Sequence, residues 1–501
     1  MKDLNIKTTR KNRRAGTWFL VVLGIAIIIA ASFGLYGIWR QYRLDHIPLP
    51  AFPGAEGFGA VTEGGRFGRI VFVTNLFDTT DVYSQNYPGS LRWAVEHTWK
   101  MDPLDPYSER RIIVFRVGGT IELVDRLIVR NPYITIAGQT APGDGILLKG
   151  DEFTIATHDV IVRGIRVRVG DQGTPTCCRD GINIGTYYAS GDVYNVIVDH
   201  SSVSWAVDEN FSIWSDPIEN HTMHDITIQW NIISQGLYNS IHVDEEAVGG
   251  ITDPHSMGLI IGDQGWDITV HHNLFALNDG RNPRVEGIIG AEILNNVIYG
   301  WGYAALEFGE TETKVHILGN YFKSINLSST NEIFIPDSMS SASLLFFSNN
   351  VVDSPRYDTA PTDIRVLTPE NFPLANKSVF HESGVVLAVP QNAYQAVLDN
   401  AGAIVPVRDQ IDRWVIEDVV NGKGSIIDSQ DDVGGWPVIS GGSYLQDTDG
   451  DGIPDEWEIS HGIDPNDTYD ASSYTIRAEN GYTWIEEYIN SLFPLDTGAK
   501  N

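Results

Sequence analysis

The chain has 501 residues, 42% of them hydrophobic, which is enough to bury a large core, and its 49 glycines and 5 methionines favour strands and turns over a helix bundle. Its formal net charge of −31 argues against a nucleic-acid partner, because binding to a phosphate backbone depends on an excess of Lys and Arg. The two cysteines, Cys177 and Cys178, are adjacent, which excludes a framework of several disulfides and leaves a vicinal disulfide or two unpaired thiols.

The first predicted element is an apolar segment over residues 18–39, which carries no charged side chain and is long enough to span a bilayer. Residues 1–17 before it are basic, and a basic flank stays on the cytoplasmic side of a membrane. We therefore expect the rest of the chain to be exported and held at the membrane by an N-terminal anchor. A cleaved signal peptide is the alternative, although the apolar run is long for one.

Residues 51–89 are rich in glycine and aromatic residues, and we predict that a coil of short, repeated strands begins there. Residues 89–96 have the pattern of a short helix, and we expect this helix to cap the open end of the apolar core. Residues 353–440 have a weaker strand signal. Within them, 393–400 and 408–421 are predicted to be helices that pack along the outside.

Five segments in the middle of the chain repeat one pattern, in which a short apolar strand is followed by an asparagine and then by a further apolar residue. The intervals between these asparagines vary from 23 to 42 residues. A fixed strand pattern with variable loops is typical of a parallel β-helix. Stacked asparagines can bond to each other at the bend of such a coil. The asparagines are Asn231, Asn273, Asn296, Asn320 and Asn350.

The C-terminal residues 445–495 are predicted to form a small calcium-binding module. Residues 447–458 carry oxygen ligands at the positions that the twelve-residue calcium loop requires, and Gly452 supplies its sharp turn. An acidic linker that happens to fit the pattern is the alternative. The expected ligands are Asp447, Asp449, Asp451, Asp455 and Glu458.

Blocks that are distinctive when taken together lie at residues 52–59, 89–94, 114–121, 134–143, 198–200 and 281–284. These blocks resemble the pectate lyases of polysaccharide lyase family 1, and the tail resembles the calcium-loop modules that follow such domains. The resemblance implies an all-β fold, a right-handed parallel β-helix over residues 51–440. It also implies an acidic polysaccharide, pectate, as the partner, and we expect a monomer.

The resemblance implies cleavage of polygalacturonate by β-elimination, in which a base removes the C5 proton of a uronate and the C4 oxygen leaves. It assigns catalysis to Arg281 as base and to Arg284, which binds the substrate carboxylate. A guanidinium is ordinarily always protonated, so the neutral form must be brought within reach at alkaline pH by neighbouring cations. The alternative is that both arginines merely pair with surface carboxylates.

The resemblance also implies Ca²⁺ at the active site, where the ion neutralises the uronate carboxylate next to the carbanion. Asp180 and Asp208 match two of the family's ligand positions. Ser212 stands where the family has another aspartate, and Glu209 is the candidate substitute.

A further departure lies in the block that starts at His255, which we assign to substrate binding together with Arg284. Met257 replaces the lysine that contacts substrate in the family. An acidic loop over residues 242–253 either supplies further ligands or is simply solvated. The departures at Met257 and Ser212 leave two alternatives to a lyase, a non-catalytic β-helix that binds acidic polysaccharide and a polygalacturonan hydrolase that uses neighbouring carboxylates.

Overall fold

The computed structural model describes residues 48–99, 102, 105–216, 218, 220–243, 252–325, 331–355, 362–363, 374–478 and 480–494. The predicted segments 1–17 and 18–39 lie outside the described residues. Across the described ranges, no helix combines the length and apolar character needed to cross a membrane. The chain divides into two compact units, Met1–Leu49 and Pro50–Asn501, and all elements below belong to the second.

Short strands dominate the second unit, and most are three to seven residues long. Their bounds are β1 (Arg69–Val73), β2 (Arg111–Phe115), β3 (Gly119–Glu122), β4 (Leu127–Val129), β5 (Ile134–Ala137), β6 (Ile146–Lys149), β7 (Phe153–Ile155), β8 (Val160–Arg163), β9 (Arg166–Arg168), β10 (Ile182–Gly185), β11 (Val193–Asp199), β12 (Ser202–Ser204), β13 (Glu209–Trp214), β14 (Met223–Gln229), β15 (Ile232–Ser234), β16 (Met257–His271), β17 (Leu274–Ala276), β18 (Arg284–Leu294), β19 (Val297–Tyr299), β20 (Ala304–Phe308), β21 (Lys314–Leu318), β22 (Tyr321–Lys323), β23 (Asn331–Phe334), β24 (Leu344–Ser348), β25 (Val351–Asp353) and β26 (Thr362–Asp363).

These strands form three faces of a coil, and successive turns pair in parallel. Face 1 contains β1, β2, β5, β8, β11, β14, β21, β24 and the second halves of β16 and β18. Face 2 contains β4, β7, β10, β13, β20, β23 and the first halves of β16 and β18. Face 3 contains β3, β6, β9, β12, β15, β17, β19, β22 and β25, with β26 antiparallel at its end. This arrangement confirms the predicted parallel β-helix. The right-handed sense, which parallel crossovers adopt in nearly all proteins, stays a prediction.

The predicted asparagine ladder runs along the bend between faces 1 and 3. The backbone N–H and side-chain amide of Asn231 both donate to Asn273 Oδ1, at 2.9 and 3.0 Å. The same pair of bonds repeats from each asparagine to the next, as far as Asn350. All five side chains are buried, so the ladder satisfies polar backbone groups that the bend removes from the sheets.

Three helices close and cover the coil where the sequence predicts them. Helix α1 (Leu91–Glu96), capped by Ser90, inserts Leu91 and Val95 into the end of the apolar core. Helices α2 (Pro390–Asn400) and α3 (Gln410–Asn421) pack on the outside of face 3. Short 3₁₀ helices lie at Phe58–Val61, Gly138–Thr140 and Gln430–Val433.

The C-terminal residues pack against the outer side of face 1. Helices α4 (Asp455–His461) and α5 (Trp484–Ser491) belong to them. Ile453, Ile485 and Ile489 join the outward side chains of β2 in one buried apolar cluster. A buried ion pair of 2.8 Å between Arg66 and Glu486 adds a second attachment. The residues of the predicted calcium module therefore share a compact unit with the coil, while the boundaries 51–440 and 445–495 stay predictions.

Candidate active site

The candidate site lies along the starting edge of face 2. Asp180 lies two residues before the start of β10, Glu209 is the first residue of β13, and Arg284 is the first residue of β18. These strands are parallel, with about 4.8 Å between neighbours, and their register places Asp180 level with Glu209. Arg284 is level with Ser212, three residues further along β13. The strands therefore bring together side chains that are about one hundred residues apart in the sequence.

Three carboxylates form the centre of this row. Asp180, Asp208 and Glu209 each offer an oxygen within 4.8 Å of the others. Asp180 is buried and accepts hydrogen bonds from Ser212 Oγ at 2.6 Å and from Asn183 Nδ2 at 2.9 Å. Burial, and then the nearby Asp208, raises the pKa of Asp180 well above its usual range.

This carboxylate cluster fits a hard divalent cation. Calcium prefers several carboxylate and other oxygen ligands, and a cation would relieve the repulsion that raises the pKa of Asp180. Ser212, where the family has an aspartate, donates to Asp180, and Glu209 brings a carboxylate to the same place. The expected substitution of Glu209 is thus geometrically available.

Arg281 lies directly beside the cluster and forms an ion pair with Glu209. Its backbone has a positive φ of 54°, and its N–H donates to Glu307 Oε1 at 2.5 Å. Burial, and next the neighbouring Arg284, lowers the pKa of the Arg281 guanidinium below its usual value. A neighbouring cation, which the sequence leads us to expect, therefore acts on the side chain proposed as the base, and burial, which was not predicted, is the larger cause.

Arg284 stands at the start of β18, across from Glu307 of β20. Its guanidinium pairs with Glu286 Oε2 at 2.6 Å and remains half-buried at the edge of the groove. It can therefore reorient toward a substrate carboxylate. The pairing of both arginines with protein carboxylates matches the alternative interpretation only in part, because Arg281 pairs with Glu209 of the cluster and only 20% of its side chain is exposed.

His255 contacts the cluster rather than open solvent. Its Nε2 lies 2.9 Å from Asp208 Oδ1, and its ring stacks on His242 with 3.9 Å between the centroids. Burial, and then the neighbouring His255, lowers the pKa of His242. His255 therefore positions a candidate calcium ligand, and its predicted role in substrate binding stays a prediction. His242 begins the acidic loop for which the sequence leaves open further ligands or solvation. It is buried, and it lies with Asp208 and His255 in a second group that could hold a metal ion. Residues 244–251 of that loop lie outside the described residues.

Asp199 and His200, in the block at residues 198–200, lie close together, with 2.8 Å between His200 Nδ1 and Asp199 Oδ1. Asp199 also pairs with Arg163 at 2.8 Å, on the outer side of face 1 and away from the carboxylate row. These contacts hold neighbouring turns of the coil together. The pair is accordingly structural.

The predicted C-terminal calcium loop gathers part of its predicted ligand set and one acid that was not predicted. Asp447, Asp449 and Asp451 offer oxygens within 4.8 Å of one another, and so do Asp451, Glu458 and Asp470. Asp470 lies beyond the loop pattern, so the pattern alone could not find it. Burial and neighbouring acids raise the pKa of Asp451 to about 7, that of Glu458 to about 8 and that of Asp470 to about 6.

Asp455 is placed differently from the other predicted ligands of this loop. Its carboxylate accepts hydrogen bonds from the backbone N–H and the hydroxyl of Thr448, both at 2.7 Å, and lies on the surface. These bonds lower the pKa of Asp455, in contrast to the raised values of the buried acids. The four buried or half-buried acids around Asp451 suit a calcium ion, whereas Asp455 stabilises the loop.

Comparison with known proteins gives the family. No family model matches the chain. A probable pectate lyase C of Emericella nidulans is 36% identical over 458 residues, which cover 89% of this chain and 93% of that protein. A probable pectate lyase C of Aspergillus terreus is 36% identical over 488 residues, covering 94% of this chain and 99% of that protein. The solved structure of a pectate lyase bound to a hexasaccharide aligns with a TM-score of 0.47 at 15% identity, over 72% of this chain and 99% of that chain. The identity and the coverage of the sequence relatives confirm the resemblance, and the chain belongs to the pectate lyase family.

Proposed function

We propose that this enzyme cleaves polygalacturonate by calcium-dependent β-elimination at the starting edge of face 2. The observation that carries the proposal is the position of Arg281. Its guanidinium is largely buried, its pKa is lowered, and it lies beside three clustered carboxylates. A base and a cation site next to each other are what proton abstraction beside a carboxylate requires.

Arg281 takes the proton from C5 of the uronate. At alkaline pH a fraction of the guanidine is neutral because burial and Arg284 disfavour its charged form. The ion pair with Glu209 must open for this step, and Glu209 would turn from Arg281 to a bound cation. Arg284 holds the substrate carboxylate, and a guanidinium can do so with two parallel hydrogen bonds. The electron pair of the broken C–H bond forms the C4–C5 double bond, and the C4 oxygen leaves.

Asp180, Asp208 and Glu209 would hold calcium, and His255 and Ser212 orient two of these carboxylates. Bound calcium neutralises the uronate carboxylate and so makes the C5 proton more acidic. Together with the arginines it also explains how a chain with a net charge of −31 binds an acidic polymer. A second calcium ion is proposed at the C-terminal loop, where Asp447, Asp449, Asp451, Glu458 and Asp470 would hold it.

Export, with membrane anchoring or secretion, is part of the proposal and depends on residues 1–39 alone. Fractionation of cells that make the full chain tests it, because the activity should appear in the membrane or the medium. Recovery of the active enzyme in the cytosol would contradict it. A monomer is expected in light scattering.

The test of the reaction follows the ultraviolet absorbance of the unsaturated product from polygalacturonate, with calcium or with a chelator. We expect product only with calcium, none with Arg281→Ala, and wild-type rates with Arg413→Ala, an exposed arginine on the outer helix α3. New reducing ends without the unsaturated product would instead indicate a hydrolase. Binding of the polymer without any cleavage would indicate a non-catalytic β-helix.

A further inference from the structure

Two adjacent histidines, His271 and His272, lie on the outer side of face 1, away from the candidate active site on face 2. His271 is the last residue of β16, and because the neighbouring Val270 points into the apolar core, His271 points outward. Both histidines are nonetheless buried, with exposed fractions of 0% and 9%. One nitrogen of each ring and one carboxylate oxygen of Glu56 lie within 4.8 Å of one another. The fold thus gathers two imidazoles and a carboxylate outside the groove.

The segment that carries Glu56 is fixed over this part of face 1 by hydrogen bonds to outward side chains. The backbone N–H of Glu56 donates to Gln229 Oε1 at 3.1 Å. The backbone N–H of Phe58 donates to Thr269 Oγ1 at 3.2 Å. Thr269 belongs to the same strand as His271, and Gln229 pairs with His271 across β14 and β16. Glu56 therefore reaches the two histidines from a distant segment that is itself well held.

The rings of the two histidines are oriented toward each other. The ring of His272 stacks on Trp230 with 4.3 Å between the centroids, and the ring of His271 stands at 81° to that of His272. Their Nδ1 atoms are 2.8 Å apart, so one of them donates a hydrogen bond to the other. The Nε2 atom of His271 is buried and has no hydrogen-bond partner among the described residues. Such a nitrogen is costly to bury, and a metal ion is one group that would satisfy the polar atoms gathered here.

Both histidines are held in the neutral form that a metal ligand requires. Burial lowers the pKa of His271 to about 4, and the charge of Asp199 and the backbone of Glu56 offset this effect only in part. Burial, and then the neighbouring His271, lowers the pKa of His272 well below its usual value. At neutral pH a metal ion would therefore not compete with protons for these two imidazoles.

The types of ligand indicate which metal fits. Imidazole nitrogens together with a carboxylate suit zinc and its neighbours in the first transition row, whereas calcium takes oxygen ligands. Thiolate ligands are excluded, because Cys177 and Cys178 form a vicinal disulfide, which decides between the two alternatives left by the sequence. Three protein ligands leave the fourth position of a tetrahedral zinc ion to a water molecule. The group around Glu56 thus differs in kind from the two calcium sites proposed above.

We propose that Glu56, His271 and His272 bind a late first-row transition-metal ion such as Zn²⁺, and that this ion holds the segment around Glu56 on the outer side of face 1. The proposal does not rest on the proposed function, because the three residues lie outside the groove of face 2. The ion joins the segment before β1 to a turn in the middle of the coil. It stabilises the folded chain, since the unfolded chain does not hold the three ligands together.

Calorimetric titration with Zn²⁺ tests the site on the full chain without an affinity tag. The titration is made in excess Ca²⁺, which occupies the carboxylate clusters. It is made in the His255→Gln background, because Asp208, His242 and His255 are the other described group that includes histidines. We expect one Zn²⁺ ion per chain, bound at Glu56, His271 and His272.

The added substitutions Glu56→Gln and His272→Gln should each weaken Zn²⁺ binding by more than about 100-fold, because even groups that only orient metal ligands are worth about 10- to 100-fold. His381→Gln is the control, an exposed histidine that should leave the affinity unchanged. Zn²⁺ should also raise the melting temperature of the background protein, but not that of the Glu56→Gln variant.

Two results would overturn the site. One is the lack of Zn²⁺ binding by the folded background protein, and the other is an equal affinity with and without Glu56→Gln. Glu56 is half-buried and glutamine has the same shape, so this variant keeps the test valid even where a histidine substitution prevents folding. Circular dichroism shows that each variant is folded. Because the readout is metal binding, the result is independent of any lyase activity.

Discussion

Calcium binding at the C-terminal loop should release protons, and the pKa values of the buried acids in the loop determine how many protons leave. In the experiment, Ca²⁺ is added to the calcium-free protein at a fixed pH. The variant Asp180→Asn/Asp208→Asn removes the active-site cluster, so that the measured protons come from the C-terminal loop alone. Because calcium binds carboxylates and not carboxylic acids, every proton still held by a ligand must leave.

The pKa values of about 8 for Glu458, about 7 for Asp451 and about 6 for Asp470 give the magnitude. At pH 7 these groups are almost fully, half and about one-tenth protonated, respectively. We therefore expect binding to release about 1.5 protons at pH 7 and about 0.1 at pH 9. The apparent affinity should rise with pH across this window.

Calorimetry in two buffers of different ionisation enthalpy measures the released protons directly. Asp470→Asn should lower the number only slightly at pH 7 but weaken calcium binding. Asp455→Asn is the matched control, because the Asp455 carboxylate bonds to Thr448 and its pKa is already lowered. A release at pH 7 below about 0.3 protons would refute the reasoning, since the buried acids would then already be ionised in the calcium-free protein.

The same acids set the pH dependence of stability. In the unfolded chain they ionise near pH 4, whereas the folded calcium-free chain holds their protons to higher pH. The folded state then binds more protons, so stability of the calcium-free protein falls as the pH rises from about 4 to about 8. Calcium removes this loss, because it replaces the protons. Thermal melts with and without chelator should therefore diverge as the pH increases.

Three other outcomes are expected. Arg281→Ala should lower kcat by about 10²- to 10⁴-fold, and the wild-type rate should rise toward alkaline pH, because burial and Arg284 lower the pKa of Arg281 and a growing fraction of its guanidine becomes neutral; a flat pH–rate profile would contradict this. Asn273→Ala should cost about 2–4 kcal/mol in denaturant unfolding, because it leaves the buried N–H of Asn231 without its acceptor; a loss below about 0.5 kcal/mol would show that the ladder contributes little. Glu209→Gln should weaken calcium binding at the active site, and Ser212→Asp in the same chain should restore part of it; calcium titration by calorimetry decides.

The features that the sequence predicts correctly are those with a local period. An asparagine at the same place after each strand indicates that the chain bends there and that the bends of successive turns stack on one another. The ladder from Asn231 to Asn350 has this form. The helix after Ser90 follows from its capping residue and its apolar face. The resemblance to the pectate lyases points to Arg281 and Arg284 through one short block, and the structure places Arg281 beside the carboxylate cluster, while the roles of both arginines stay predictions. In each case the information lies within a few residues.

The features that the sequence does not reveal depend on contacts between distant segments. Asp470 joins the calcium loop because the chain folds back after α4, and no spacing rule places it there. His242 reaches the active site by stacking on His255, across a loop of variable length. The attachment of α5 to β2 is equally non-local, because outward apolar residues of a strand become visible as an interface only when their partner is known.

The departure at Ser212 shows how the coil can keep a site while the ligand position moves. Ser212 and Glu209 belong to the same strand, and Asp180 binds both, through the Ser212 hydroxyl at 2.6 Å and the Glu209 backbone N–H at 3.2 Å. A carboxylate three residues earlier on β13 therefore still reaches the cluster. In this position Glu209 also forms an ion pair with Arg281. The ion pair favours the charged form of the proposed base unless a cation competes for Glu209. In the proposed mechanism, Glu209 would therefore couple cation binding to the release of the base, because one carboxylate would serve both.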